Sequence, residues 1–252
     1  MLDVERLVRK FGAVEALAGL DLSVGDGESV GLIGPNGSGK TTLFNVVTGV
    51  YPPTSGYVRL EGRDIGASKP DRIVNSGVAR TFQNLRIFER LTVFENVWAA
   101  QHRRADVAMR ELVFARRAAE HARREEVDGL LELTGLADRR DALAGGLPLP
   151  DQRRLELARA LARRPRLLLL DEPAGGMTPA ETEQMVRLIR DIAIPGRTCI
   201  VIEHKMEMIR NLCDRVCVLD FGRKIAEGSP EAVLRDDRVI EAYIGRETPA
   251  DA

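Results

Sequence analysis

Gly34-Pro-Asn-Gly-Ser-Gly-Lys-Thr constrains this chain more than any other stretch. It follows the apolar run Ser29–Ile33 and precedes a helical pattern at Lys40–Thr48 that Gly49 ends, so the glycines fall between a buried strand and a helix. Glycines there let the backbone wrap until successive N–H groups point inward, and the helix that starts at the loop adds its positive end. That arrangement cradles phosphate. With the spacing G-x-x-x-x-G-K-[ST], Lys40 reaches the β- and γ-phosphates of a nucleoside triphosphate and the Thr41 hydroxyl ligates Mg²⁺. An ordinary glycine turn before a helix would not need Lys and Thr at those two places.

A metal-bound triphosphate also needs a carboxylate for the metal and a group that activates water. Leu167-Leu-Leu-Leu-Asp-Glu offers both at the C-terminal end of a second apolar strand, where open α/β sheets hold their ligands. Asp171 is the expected metal carboxylate and Glu172 the expected general base, facing the γ-phosphate.

The remaining pattern predicts an α/β chain. Short alternations at Leu2–Val8 and Gly19–Val24 read as strands before Ser29–Ile33. Turn chemistry at Tyr51-Pro-Pro-Thr-Ser-Gly-Tyr leads to a strand at Tyr57–Leu60 and a turn at Glu61–Asp64. A short helix at Pro70–Ser76 and a strand at Val78–Phe82 follow. From Thr92 to Leu136 the chain is rich in Ala, Glu, Arg and Leu, without proline, which predicts an inserted helical block. Beyond the strand Leu167–Leu170 come a helix at Pro179–Ile192, a strand at Thr198–Ile202, a helix at Met206–Leu212 and a hairpin of Val216–Leu219 with Lys224–Glu227 around Phe221-Gly-Arg. Alternating strands and helices imply a largely parallel sheet covered on both faces.

Composition narrows the function classes. Of 252 residues 44% are hydrophobic, enough for a sizeable core, and 37 basic residues nearly cancel 38 acidic ones. With aromatics at 4% as well, nothing advertises nucleic acid as a partner. Cys199, Cys213 and Cys217 form no CxxC pair, which suits packed, reduced thiols in a reducing compartment rather than a zinc site. No window approaches the ~20 apolar residues of a membrane-spanning helix, and the amino terminus lacks the apolar stretch of a signal peptide.

Beyond these readings, Gln83 after a strand, Asp171-Glu172-Pro173, and His204 after the strand ending at Ile202 stand in the order and context of ABC-type ATPases, which the chain resembles over nearly its whole length. The resemblance implies the ABC ATPase fold: a P-loop NTPase core with a mostly parallel sheet, an N-terminal antiparallel β subdomain and an inserted α-helical subdomain. Its expected divisions are 1–83 with 161–225 for the core and β subdomain, 84–160 for the helical subdomain and 226–252 for a C-terminal extension. It implies ATP and Mg²⁺ as ligands. Nucleotide contacts fall on Gly34, Pro35, Asn36, Gly37, Ser38, Gly39, Lys40, Thr41 and Thr42, with Phe11 stacking on adenine. Gln83 would sense metal, water and transporter, joining Thr41 and Asp171 around the ion, and His204 would contact the γ-phosphate. His102 and His121, in the helical block, read as surface residues.

Three stretches sharpen the likeness. Gly77-Val-Ala-Arg-Thr-Phe-Gln-Asn-Leu-Arg-Ile-Phe through Leu91-Thr-Val-Phe-Glu-Asn-Val, then Glu172-Pro-Ala-Gly-Gly-Met-Thr-Pro-Ala-Glu-Thr, then Ile202-Glu-His-Lys-Met through Gly228-Ser-Pro-Glu and Glu241-Ala-Tyr-Ile-Gly resemble the ATPase subunits of high-affinity branched-chain amino-acid importers. The implied partners are two membrane-spanning permease subunits, a second ATPase subunit or a second copy of this chain, and, indirectly, a periplasmic binding protein. The implied place is the cytoplasmic face of the membrane, with 84–97 and the helical block receiving the permease helices. Relatives of that subfamily move urea, short amides or lipopolysaccharide, and non-transport ABC ATPases form a further alternative. A GTPase reading would want N-K-x-D, which is absent.

One stretch departs from the family. Before the helix beginning Arg153-Arg-Leu-Glu, where ABC ATPases carry L-S-G-G-Q, this chain has Leu147-Pro-Leu-Pro-Asp-Gln. Pro148 takes the serine position, Leu149 and Pro150 the glycine positions, and Asp151 follows. The family uses that hydroxyl, those N–H groups and the helix N-terminus to bind the γ-phosphate on the opposite subunit. Prolines remove donors and Asp151 brings negative charge toward a polyanion. The expectation is an asymmetric dimer in which a partner supplies an intact signature.

Overall fold

Three strands of five residues, Ser29–Ile33, Leu167–Asp171 and Thr198–Ile202, have every residue buried. Near-continuous Val, Ile and Leu on both faces is what a parallel sheet covered on both sides demands, and these three lie side by side.

The computed structural model describes residues 1–101 and 112–244. In chain order the early elements are β1 (Leu2–Phe11), β2 (Val14–Val24), β3 (Ser29–Ile33), α1 (Lys40–Val47), β4 (Ser55–Leu60), β5 (Arg63–Asp64), α2 (Pro70–Asn75) and β6 (Val78–Arg80). Helices α3 (Val93–Ala100), α4 (Leu112–Leu133) and α5 (Leu149–Leu161) follow, then β7 (Leu167–Asp171) and α6 (Pro179–Leu188). The chain closes with β8 (Thr198–Ile202), α7 (Met206–Leu212), β9 (Arg215–Asp220), β10 (Arg223–Gly228), α8 (Pro230–Val233) and α9 (Asp237–Ile244). His102 and the polar tail after Gly245 lie outside the described residues.

The chain forms two compact units. The first comprises Met1–Arg80, Arg166–Glu172 and Ile194–Ala252. Its six-stranded sheet has the order β10-β9-β3-β8-β7-β6, parallel throughout except for the antiparallel pair β9–β10. Its second sheet, β2-β1-β4-β5, is antiparallel. One large cluster of the unit includes Leu32, Leu43, Phe44, Leu169, Ile200 and Leu219, all fully buried. Full burial of each such side chain contributes about 1.5–3 kcal/mol. The expected α/β fold with a mostly parallel sheet and an antiparallel β subdomain is the observed one.

The second unit comprises Thr81–Pro165 and Pro173–Ala193. Val93 with Val97, and Val127 with Leu131, are i,i+4 pairs that pack with Leu155 and Ala158. Thr92 starts α3 with a reciprocal cap: its Oγ1 accepts from Glu95 N at 3.1 Å, and Glu95 Oε2 accepts from Thr92 N at 2.8 Å. Asn96, fully buried, accepts from Phe88 N and donates to the carbonyls of Phe88 and Thr92, which ties down the segment ahead of the helix.

Several boundaries differ from the sequence reading. Strand β6 stops at Arg80 instead of reaching Phe82, because Phe82 N donates to the Glu156 carboxylate rather than to a ladder. The helix from Pro179 stops at Leu188 and widens into a π turn, Ile189–Ala193. Pro195 just beyond cannot donate to continue the α pattern. Glu61–Asp64, expected as a turn, carries the two-residue strand β5.

Candidate functional site

The loop Gly34–Gly39 leaves the C-terminal end of β3 and opens α1. Two of its glycines are required by close approach and by backbone shape. Gly34 has φ 146°, and a Cβ there would sit 2.1 Å from the Leu219 carbonyl oxygen; Gly39 has φ 108°, with its Cβ position 2.6 Å from the Ala16 carbonyl oxygen. Gly222, in the β9–β10 turn, donates to Ser38 O at 3.0 Å and accepts from Ala18 N at 2.9 Å, which stitches the loop to β2. The first turn of α1 holds no acidic residue and Gly39 offers no capping side chain, so its amino end keeps the positive potential that binds anions.

Lys40 is buried at 6% exposure, and its ammonium donates to the carbonyls of Gly34 at 2.7 Å and Pro35 at 2.9 Å. Its charge is therefore held against the loop that the motif assigns to phosphate. Thr41 and Asn36 are exposed, Thr42 is half-buried and Ser38 is fully buried.

Asp171 ends β7 at 2% exposure and accepts from Arg80 Nη2 on β6 at 2.7 Å. Burial raises its carboxyl above the ordinary aspartate value, and Arg80 opposes that rise. Arg80 Nη1 donates to Asn45 Oδ1 on α1 at 2.7 Å, and the guanidinium lies over the Phe44 ring. Arg80 thus ties the helix after the phosphate loop to the acidic strand end. Neither Arg80 nor Asn45 stood out as a site residue in the sequence; the charge of Arg80 inside a strand pattern was the available signal.

Glu172 follows with φ 48°, a left-handed backbone unusual for a non-glycine residue. Its amide donates to Ile202 O at 3.0 Å, and His204 Nε2 lies 3.1 Å from its Oε1. Because β3, β8 and β7 are parallel neighbours, the phosphate loop, His204 and Asp171-Glu172 all leave from C-terminal strand ends. The structure brings those residues to one edge of one sheet. Phe11, 39% exposed at the end of β1, meets the Tyr51 ring edge-on at 5.1 Å with the Arg9 guanidinium over both rings.

Gln83 belongs to the second unit, where its side chain is exposed and its backbone is held. Arg153 donates to Phe82 O at 3.1 Å and Gln83 O at 2.9 Å, while Glu156 accepts from Phe82 N at 3.1 Å. Burial raises the Glu156 carboxyl, opposed by that amide and by Arg153. In the same unit α5 begins at Leu149, with Pro148 at its N-cap and no side-chain cap. Asp151 sits in its first turn, 3.9 Å from Arg154, and Gln152 Nε2 donates to Leu147 O at 2.9 Å. Leu149 Cδ2 lies 2.9 Å from where a Cβ on Gly176 would be. His121 is a surface residue, 3.3 Å from Glu125 on the next turn.

The residues present fit a metal carried in with a nucleotide. Among the described residues no three His, Cys, Asp or Glu form a metal cage. A Mg²⁺ ion that keeps waters and phosphate oxygens needs only one or two protein ligands, of the kind Thr41 and Asp171 provide. Among the described residues no helix is long and apolar enough to cross a membrane.

A phosphate loop, a buried acid, and a glutamate–histidine pair on adjoining ends of a parallel sheet define a P-loop nucleoside triphosphatase. Residues 17–175 match the family described as ABC transporter, and residues 223–248 the family described as branched-chain amino acid ATP-binding cassette transporter. The chain belongs to the ABC transporter ATPase family, whose members bind ATP and ADP. It is 39% identical over 249 residues to the high-affinity branched-chain amino acid transport ATP-binding protein BraF of Pseudomonas aeruginosa, covering 97% of this chain and 98% of that one. It is 32% identical over 247 residues to the lipopolysaccharide export system ATP-binding protein LptB of Haemophilus influenzae, covering 98% of each. Among solved structures, a nucleotide-free ATP-binding cassette from an ABC transporter superposes with a TM-score of 0.85 at 32% identity, over 98% of this chain and 99% of that one.

Proposed function

We propose that this chain is the Mg-ATP-hydrolysing subunit of an importer for branched-chain or related amino acids. It would sit on the cytoplasmic face of the membrane against two permease subunits, fed by a binding protein. The observation that carries the reading is the shared sheet edge, where Gly34–Thr42 and Lys40 would grip the triphosphate while Asp171 and Thr41 hold Mg²⁺. Glu172 is the general base, and His204, hydrogen-bonded to it, contacts the γ-phosphate. Phe11 stacks on adenine and Gln83 reports the permease state. The 39% likeness to BraF over nearly the full length supports the cargo class.

The pairing is asymmetric in this reading. The chain's own phosphate loop, Glu172 and His204 are completed by an intact signature on a different ATPase subunit. Its own Leu147–Asp151 would face that partner's nucleotide with two prolines and a carboxylate. A second copy of this chain would therefore make a weak enzyme.

The test is co-expression of the chain with its permease, partner ATPase and binding protein, followed by purification and reconstitution. ATPase activity that rises when the binding protein carries leucine, isoleucine or valine, and that Lys40→Ala abolishes, is the expected result. Stable assembly with unchanged turnover across all amino acids tested would overturn the cargo, and unchanged turnover in Lys40→Ala would overturn the site.

A further inference from the structure

The first amide of the phosphate loop is held by the far end of the chain. Gly34 N donates to the Tyr243 hydroxyl at 2.9 Å, across 209 residues of sequence. Tyr243 lies on α9 one turn after Val239, which is 3% exposed, so the two share the helix face that packs inward. Ile240, between them, is exposed. Val239 thus seats the helix and Tyr243 delivers its hydroxyl from the same face. Burial raises the phenol above its ordinary value, so the hydroxyl keeps its proton at neutral pH.

Gly34 is a place where such a contact matters. Its φ of 146° has no side chain to hold it, and glycine turns freely about that bond. What holds it is a hydrogen bond on each side: Tyr243 on the amide, Lys40 Nζ at 2.7 Å on the carbonyl. Without the phenol the amide would need another acceptor, since a buried N–H left unpaired is costly. The residue's turn to find one would carry with it the carbonyl on which Lys40 rests.

We propose that Tyr243 is a positioning residue for the nucleotide site, its hydroxyl fixing the Gly34 peptide and through it the Lys40 ammonium. This rests on the reading of Gly34–Thr41 as the triphosphate cradle. It makes α9 part of the nucleotide site rather than a peripheral extension.

The experiment is titration of the purified full chain with Mg-bound AMP-PNP by calorimetry, well below the melting midpoint of each variant. Tyr243→Phe keeps the ring and removes only the hydroxyl, and Lys40→Ala is measured beside it. A dissociation constant raised about three- to tenfold in Tyr243→Phe, the range of one neutral hydrogen bond, supports the proposal. A wild-type constant in Tyr243→Phe with binding lost in Lys40→Ala overturns it and leaves the cradle standing, whatever happens to the melting midpoint. Wild-type binding in Lys40→Ala overturns the cradle itself and the role of Tyr243 with it.

Discussion

Arg80 and Asp171 form an ion pair of 2.7 Å on neighbouring parallel strands, with side chains only 5% and 3% exposed. Such a pair is costly to break from one side, because the survivor keeps its charge in a poorly solvated place. Arg80→Met is expected to destabilise the protein by about 3–5 kcal/mol, measured by urea unfolding. Removing the guanidinium also removes what opposes the burial-driven rise of the Asp171 pKa. A carboxyl whose folded pKa lies above its unfolded one binds its proton first in the folded state. The loss in Arg80→Met is therefore full above the variant's raised value and shrinks as the pH falls through it toward the wild-type value, which burial also raises. The double variant Arg80→Met/Asp171→Asn, with no charge left to strand, recovers most of the stability. A double variant no better than the single one would show that the guanidinium matters through packing on Phe44 instead.

Glu172 and His204 meet at 3.1 Å with the glutamate backbone in a left-handed conformation. Strain of this kind persists where the surroundings over-determine it, and it clusters at reacting groups. Glu172→Gln keeps the shape and one acceptor oxygen but removes the carboxylate proposed as the base. Steady-state turnover in the reconstituted assembly should fall about 10²–10⁴-fold with nucleotide binding retained. His204→Ala should also lower turnover, and adding it to Glu172→Gln should cost little more if the pair acts as one unit. Independent, multiplying losses would argue that the observed contact plays no part in the reaction.

Much of this arrangement was legible because local chemistry dictates it. The strand–loop–helix around Gly34–Thr41 follows from glycine, a lysine and a five-residue apolar run, and β3 and β8 have the bounds that their apolar runs suggest. The contacts that assemble the site were not legible, because they join residues far apart in sequence. Arg80 reaches Asp171 across 91 positions only because β6 and β7 pair, and His204 reaches Glu172 across 32 because β7 and β8 do. Tyr243 carries no signal of its own beyond its place in the C-terminal pattern, since nothing local says where a helix face will land. The missed boundary at Phe82 has the same origin, a buried carboxylate 74 residues on that outcompetes the ladder.

The three cysteines, read as packed thiols, are free and buried. Burial pushes Cys199 and Cys213 up to about 12 and Cys217 up to about 11, so little thiolate exists at ordinary pH. Iodoacetamide at pH 8 should leave the folded protein unlabelled and modify all three thiols in denaturant, as read by intact mass. Labelling of the folded protein at a rate typical of a free thiol would mean that this part of the core opens readily.

The amino end of α5 carries the sharpest prediction. Pro148 caps the helix without a side-chain hydrogen bond, Pro150 removes an amide from its first turn and Asp151 adds a charge there. The segment is well made as structure: a proline in the first turn suits the helix, and Leu149 packs where Gly176 leaves room. What it lacks is the set of donors that a bound γ-phosphate would use, each worth about 1.5–3 kcal/mol toward a charged group. The variant Pro148→Ser/Leu149→Gly/Pro150→Gly/Asp151→Gln restores a hydroxyl and two amides, and removes the carboxylate. The glycines cost about 1 kcal/mol each in the helix's first turn, so folding is checked by melting. If the local chemistry limits the site, ATP turnover by the isolated chain at high protein concentration rises at least about tenfold, equivalent to one regained hydrogen bond. Unchanged turnover in a well-folded variant, or vigorous turnover by the unmodified chain alone, would remove the case for asymmetric pairing while leaving the chain's own phosphate loop untouched.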